Sequence, residues 1–190
     1  MTSLALTDAL LCVCAVWLAS QADLKVGVRL ACGLLAIPAL LGALRFSGLY
    51  PLERWHQLFS ILSASAALPL LALCVRWPAS VVAQQKRFAL IFLGGAMLLG
   101  LLISGLGKLR LYDHALALLS MAVMLWVLAR QGARVAAAGA ACMLLGSLLF
   151  VAKVSVAGWL LPGDLLHLGM AAGLVLMLRG ATTPPPLQQA

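Results

Sequence analysis

The amino-acid sequence predicts an all-α fold, a polytopic bundle of transmembrane helices, and three observations carry that expectation. Hydrophobic residues make up 64% of the 190-residue chain and charged residues 9%, with a mean hydropathy of +1.10. The apolar residues fall into runs approaching the length of about 20 residues that a helix needs to cross a hydrocarbon core. The longest polar gaps between runs, around Pro51 to His56 and Pro78 to Arg87, are only loops. A chain with so much apolar surface cannot hide it from water, so its solvent is lipid. Nothing outside the runs is long enough for a second domain, which predicts one transmembrane domain over residues 1–180. Residues 181–190 hold Pro184, Pro185 and Pro186, cannot continue a helix, and are read as a disordered cytoplasmic tail.

In chain order the first run, Leu4 to Ala19, has the outline of a signal peptide. It has no Lys or Arg before its apolar stretch and carries Asp8 near its start, so it is read as a retained span. The second and third, Val26 to Leu44 and Gln57 to Val75, contain Pro38 and Pro69, each a kink that lipid-embedded helices tolerate. The fourth, Phe88 to Leu106, is followed closely by Gly107, and Gly94, Gly95, Gly100, Gly105 and Gly107 predict a packing seam. The fifth, Ala115 to Leu128, is short. The sixth is Val135 to Ala152. The seventh, Leu165 to Leu178, is also short and holds a Gly169-x-x-x-Gly173 spacing of the close-packing kind. Seven spans result, with six spans and a re-entrant C-terminal segment as the alternative.

Lys and Arg in short loops set orientation. Lys25, Arg29, Arg76, Lys86, Arg87, Arg130, Arg134 and Arg179 lie on one face; Arg45, Arg54, Lys108, Arg110 and Lys153 lie on the other. The larger set marks the cytoplasmic side, giving an outside N-terminus and an inside C-terminus. Trp17, Trp77 and Trp126 then mark inner ends, and Tyr50, Trp55, Tyr112 and Trp159 outer ends. The net charge of +8 follows from topology and from attraction to anionic lipid, and gives no reason to expect nucleic-acid binding. All five cysteines, Cys12, Cys14, Cys32, Cys74 and Cys142, fall inside spans, where Cys acts as a small hydrophobe.

The groups that titrate near neutral pH or bind metals are distributed unevenly. Asp8, Glu53, His56, Asp113, His114, Asp164 and His167 all map to the outer ends of spans or their loops, leaving Asp23 alone on the inner side. Three odd-numbered spans open on related strings, Thr7-Asp8-Ala9-Leu10, Tyr112-Asp113-His114-Ala115-Leu116 and Gly163-Asp164-Leu165-Leu166-His167. A helix-capping role accounts for each aspartate alone. Together, side chains from several helix ends can instead converge on one outer cavity. At the C-terminal end a break at Leu161-Pro162-Gly163 would let Asp164 start a short helix, with His167 one turn on and Lys153 as counter-charge. Imidazoles and carboxylates of this kind can fill three or four positions around zinc and leave one for water. His56, His114, Asp164 and His167 are the candidate ligands, and Asp113 the candidate general base or orienter of a histidine. There is no HExxH, HxxxH or paired-Cys motif. Three histidines on one face also provide no stacked pair for haem.

Ser47 near the end of the second span and Asp164-x-x-His167 at the start of the seventh, with the span count, resemble the seven-span CREST superfamily of alkaline ceramidases and progestin and adipoQ receptors. That resemblance implies a zinc site and amide hydrolysis of a lipid. This chain departs from the family pattern: no His follows Ser47 until His56, the third span lacks an Asp, and one His stands near the seventh span where the family has two.

Two functional readings follow. One is a non-enzymatic membrane component, a lipid-binding, transporter-like or scaffolding bundle with an outer polar cavity, whose partners are membrane lipids and a helix-packing protein or a second copy. The other is a zinc-dependent membrane lipid hydrolase. The Ala/Leu-rich, loop-poor style points to a bacterial inner membrane. The orientation is testable. In a cysteine-free variant, a cysteine replacing Arg54 should react with a membrane-impermeant maleimide on intact cells. One replacing Arg134 should react only after permeabilisation.

Overall fold

The computed structural model describes residues 2–48, 52–107, 109–156 and 159–180; Tyr50, Lys108 and the tail from Ala181 to Ala190 lie outside them. Among the described residues, seven helices are long and apolar enough to cross a membrane. They are α1 (Ser3–Ser20), α2 (Val26–Phe46), α3 (Glu53–Arg76), α5 (Lys86–Leu106), α6 (Arg110–Arg130), α7 (Arg134–Val151) and α8 (Pro162–Gly180). A short α4 (Val81–Gln84) lies between α3 and α5. The chain is an all-α, multi-pass membrane protein.

The two short runs turn out to be full helices, of 21 residues in α6 and 19 in α8. Asp113 and Asp164 occupy their first turns, where a carboxylate meets the positive end of the helix dipole, so helix extends past the apolar run. This replaces the re-entrant segment and the short helix expected at Asp164. Pro162 does not break a span; it is the first residue of α8, where its missing N–H has no partner to lose.

Pro69 has a visible effect inside α3. Proline has no N–H and displaces the carbonyl four residues before it, and the turn just before it, Ser63–Ala67, is π-helical. The Ser63 hydroxyl reaches across to the Leu34 carbonyl of α2 at 2.9 Å, and Ser65 bonds back to Ile61 at 2.8 Å. A second π-helical stretch, Leu101–Leu106, ends α5.

Six helices pack in a ring, α1 on α2, α2 on α3, α3 on α6, α6 on α7, α7 on α8, and α8 back on α1. Helix α5 lies outside it, against α2 and the π-helical part of α3, and is the least buried span. Met121, Met124, Met143, Leu174 and Met177 fill the interior, while Val13, Leu106 and Leu111 are exposed, as suits a lipid-facing surface.

The tightest joint is between α7 and α8. A Cβ on Gly139 would stand 2.6 Å from the Gly173 carbonyl oxygen, and one on Gly169 would stand 3.1 Å from the Cα of Gly146. The Gly169-x-x-x-Gly173 seam is therefore real, and it meets a second glycine row on α7. The seam expected on α5 is not continuous. Gly100 packs on the Ser65 side chain, but the space beside Gly94 and Gly95 is open.

The two ends of the ring differ chemically. At the end where α1 terminates, Trp17, Trp77 and Trp126 each carry an arginine over the ring, Arg179 at 4.6 Å, Arg76 at 5.2 Å and Arg130 at 4.6 Å. Such amphipathic rings suit the headgroup level. The opposite end holds the histidines and four of the five acids.

Replacing Gly139 or Gly173 by Leu should lower the thermal midpoint in detergent by far more than Gly95→Leu. The first two drive side-chain atoms into backbone, for which overpacking costs of about 1–3 kcal/mol are a floor, whereas Gly95 faces open space.

Candidate functional site

The polar residues at the N-terminal end divide into two groups. The larger joins α1, α2, α3 and α8. Asp164 sits at the third position of α8, from which its side chain reaches back to the Leu161 N–H at 2.9 Å, as capping boxes do. The same carboxylate is fully buried and takes two hydroxyl donors from α1, Thr7 on Oδ1 and Ser3 on Oδ2, both at 2.9 Å. One turn along α8, His167 turns to the same face. Its Nε2 lies 3.3 Å from Asp8 Oδ1 and its Nδ1 3.4 Å from the Thr7 hydroxyl. A histidine thus sits between two buried aspartates, one reached directly and one through Thr7.

Asp8 does not cap a helix. Thr2 caps α1 by accepting from the Ala5 N–H, which leaves Asp8 in the second turn, 1% exposed. Its Oδ2 is the one buried side-chain oxygen or nitrogen without a hydrogen-bond partner among the described residues. Gly42 of α2 faces it so closely that a Cβ there would overlap the carboxylate. One turn above Gly42, Arg45 is close enough to interact electrostatically with Asp8, as His56 is with His167. Arg45 itself bridges to Glu53 at 2.9 Å, approaches His56 Nδ1 at 3.3 Å, and lies 5.0 Å above the Phe46 ring.

Proton accounting defines the chemistry. Thr7 has one hydroxyl proton, and with that proton on Asp164 the His167 nitrogen facing Thr7 must donate. The other ring nitrogen faces Asp8, so either His167 carries both protons or Asp8 carries one. Asp8 and His167 thus share a proton between them, with Arg45, which also bridges to Glu53, near Asp8. Such a centre at membrane depth is suited to taking up a cation.

The second group is separate. Asp113 on α6 is buried, accepts from the Ser104 hydroxyl of α5 at 3.1 Å, and lies 3.2 Å from His114 Nδ1. His114 also meets the Phe150 ring of α7. None of these contacts reaches the first group. The structure therefore brings His56, Asp164 and His167 to one region and leaves His114 and Asp113 in another. Among the described residues no three His, Cys, Asp or Glu side chains are grouped to hold one metal ion. Both Asp164 oxygens are engaged with Ser3, Thr7 and Leu161, so the side chains as they stand do not fit a zinc centre.

One further expectation is corrected. Lys153 is exposed, with φ of 54°, and the charge of Asp164 is met by hydroxyls and an amide rather than by this lysine. Ser47, the serine on which the CREST resemblance partly rests, is exposed at the end of α2 and bonds back to the Ala43 carbonyl of its own helix at 2.7 Å. The contributions of Ser3, Thr7, Arg45 and Gly42 were not visible in spacing alone, although Thr7-Asp8 beside a polar helix end was a signal.

A family described as a family of unknown function (DUF6962) matches residues 3–184. The chain belongs to this family. No curated protein and no solved structure matches it.

Asp164→Ala removes the acceptor of three donors, and hydrogen bonds to a charged group contribute about 1.5–3 kcal/mol each. It should therefore cost about 3 kcal/mol or more in denaturant unfolding from micelles. Glu53→Ala, at a half-exposed ion pair, should cost less than about 1 kcal/mol.

Proposed function

We propose that this DUF6962 protein is a non-enzymatic, transporter-like membrane bundle that takes up a cation at the Asp8–His167–Asp164 centre, the proton being the smallest occupant. One observation carries the reading: a buried aspartate, closed in by Gly42 and touching His167, has a carboxylate oxygen with no partner. A buried carboxylate oxygen without a protein partner is stabilised by a proton or another cation. His167 gives the centre a second proton-accepting group, and Thr7 links it to Asp164. Arg45, Glu53 and His56 stand at the ends of α2 and α3 beside the centre, where an ion arriving from solvent would meet them. The Ala/Leu-rich, loop-poor sequence supports a bacterial inner membrane as its location, and the Lys/Arg distribution an outside N-terminal end.

A second reading is the zinc-dependent lipid hydrolase of CREST type. Of its expected ligands, His56, Asp164 and His167 share a region and His114 does not, and among the described residues no three His, Cys, Asp or Glu side chains are grouped to hold one ion.

One comparison separates the two. In proteoliposomes loaded with a pH-sensitive dye, the wild type should dissipate a proton or alkali-cation gradient, and Asp8→Asn should slow this by about an order of magnitude or more. Elemental analysis of the same protein should find no stoichiometric transition metal. About one zinc per chain, lost in His167→Ala with the fold intact, would overturn the transporter-like reading in favour of the hydrolase.

A further inference from the structure

The opposite, arginine-rich end carries a feature that the cation centre does not use. Because α5 packs outside the ring, a groove of about 750 Å³ opens between it and α1 and α2. Its floor is formed where side chains are missing: the space beside Gly33 on α2 and Gly94 on α5 is open. Its rim is cationic. Arg29, in the first turn of α2, and Lys86, the first residue of α5, both line it. Arg29 is held there by its Nε, which donates to the Ala19 carbonyl at 2.9 Å.

Neither cation is paired with a carboxylate among the described residues. The acid at this end, Asp23, is engaged by Arg179 at 3.2 Å. Below the rim the wall is apolar, with Leu90 and Met97 following Lys86 along α5. From Lys86 to Met97 the helix rises about 16 Å, about half of a hydrocarbon core some 30 Å thick. The groove therefore has two positive charges at the membrane surface and an apolar trough one leaflet deep.

We infer that this groove binds one anionic phospholipid, its phosphate at Arg29 and Lys86 and an acyl chain laid against Gly33 and Gly94. Charge selects the headgroup, and depth selects a lipid over a soluble anion. Basic pockets between spans recognise anionic headgroups in this way. The assignment does not depend on Asp8 or His167.

The test is native mass spectrometry of detergent-purified protein titrated with phosphatidylglycerol or phosphatidylcholine of the same acyl chains. Wild type should retain one phosphatidylglycerol per chain and little phosphatidylcholine. The Arg29→Gln, Lys86→Gln double variant should lose about tenfold or more in phosphatidylglycerol affinity, as expected for two charges at a membrane surface. Gly33→Leu with Gly94→Leu keeps every charge and fills the groove, so it should also lose the lipid while its thermal midpoint holds. Equal retention by wild type and both variants, or equal retention of the two lipids, would overturn the assignment. So would displacement of the lipid by inorganic phosphate alone.

Discussion

The Asp164 carboxylate holds the first and last spans together. Lipid supplies no hydrogen bonds, so a carboxylate buried among helices must find every partner within the protein. Asp164 finds three, the Leu161 N–H of its own helix end and the Ser3 and Thr7 hydroxyls of α1. That set closes the ring between α8 and α1 and fixes Thr7 where it can meet His167. With the backbone of α8 tied there, the glycine seam on its other side seats it against α7. The orientation of His167, and hence the environment of Asp8, follows from these two attachments.

The spans were legible because lipid imposes a simple rule of length and apolarity, and seven runs obeyed it. Their limits were less legible at α6 and α8. There a charged residue in a helix's first turn looks like the end of a membrane segment, when the dipole in fact welcomes it. The polar site was half legible. Histidines and aspartates gathering at one end followed from topology, and His56, Asp164 and His167 do share a region. His114 does not, because lateral position around the ring depends on which helices touch, and α6 packs against α3 and α7 rather than beside α8. Asp8 looked like a cap and is instead a buried carboxylate whose Oδ1 meets His167 and whose Oδ2 has no hydrogen-bond partner among the described residues. Nothing in its spacing reveals that Thr2 takes the capping role or that Gly42 closes over it.

The glycines show the same dependence on context. Gly139, Gly146, Gly169 and Gly173 bring two backbones together, whereas Gly33 and Gly94 leave space that no neighbour fills. Small residues lower the barrier to close approach, but the partner helix must be present for approach to happen. Helix α5, which lies outside the ring against the π-helical turn of α3, lacks such a partner along part of its length. The protein consequently has one end whose charges are drawn inward around an aspartate and another whose charges line an outward-facing trough.

The joining of α1 to α8 has a bearing on biosynthesis. Residues 161 and 157 positions apart in the chain must meet, Ser3 and Thr7 with Asp164, before the centre exists. At translation rates of about 5–20 residues per second, α1 waits on the order of ten seconds or more in the membrane before α8 is made. Throughout that interval Asp8 has Gly42 of α2 to pack against but lacks its histidine. A nascent chain that stalls or terminates early displays that unmatched aspartate to the bilayer, which is the kind of feature by which cellular quality control can distinguish an unfinished membrane protein from a completed one.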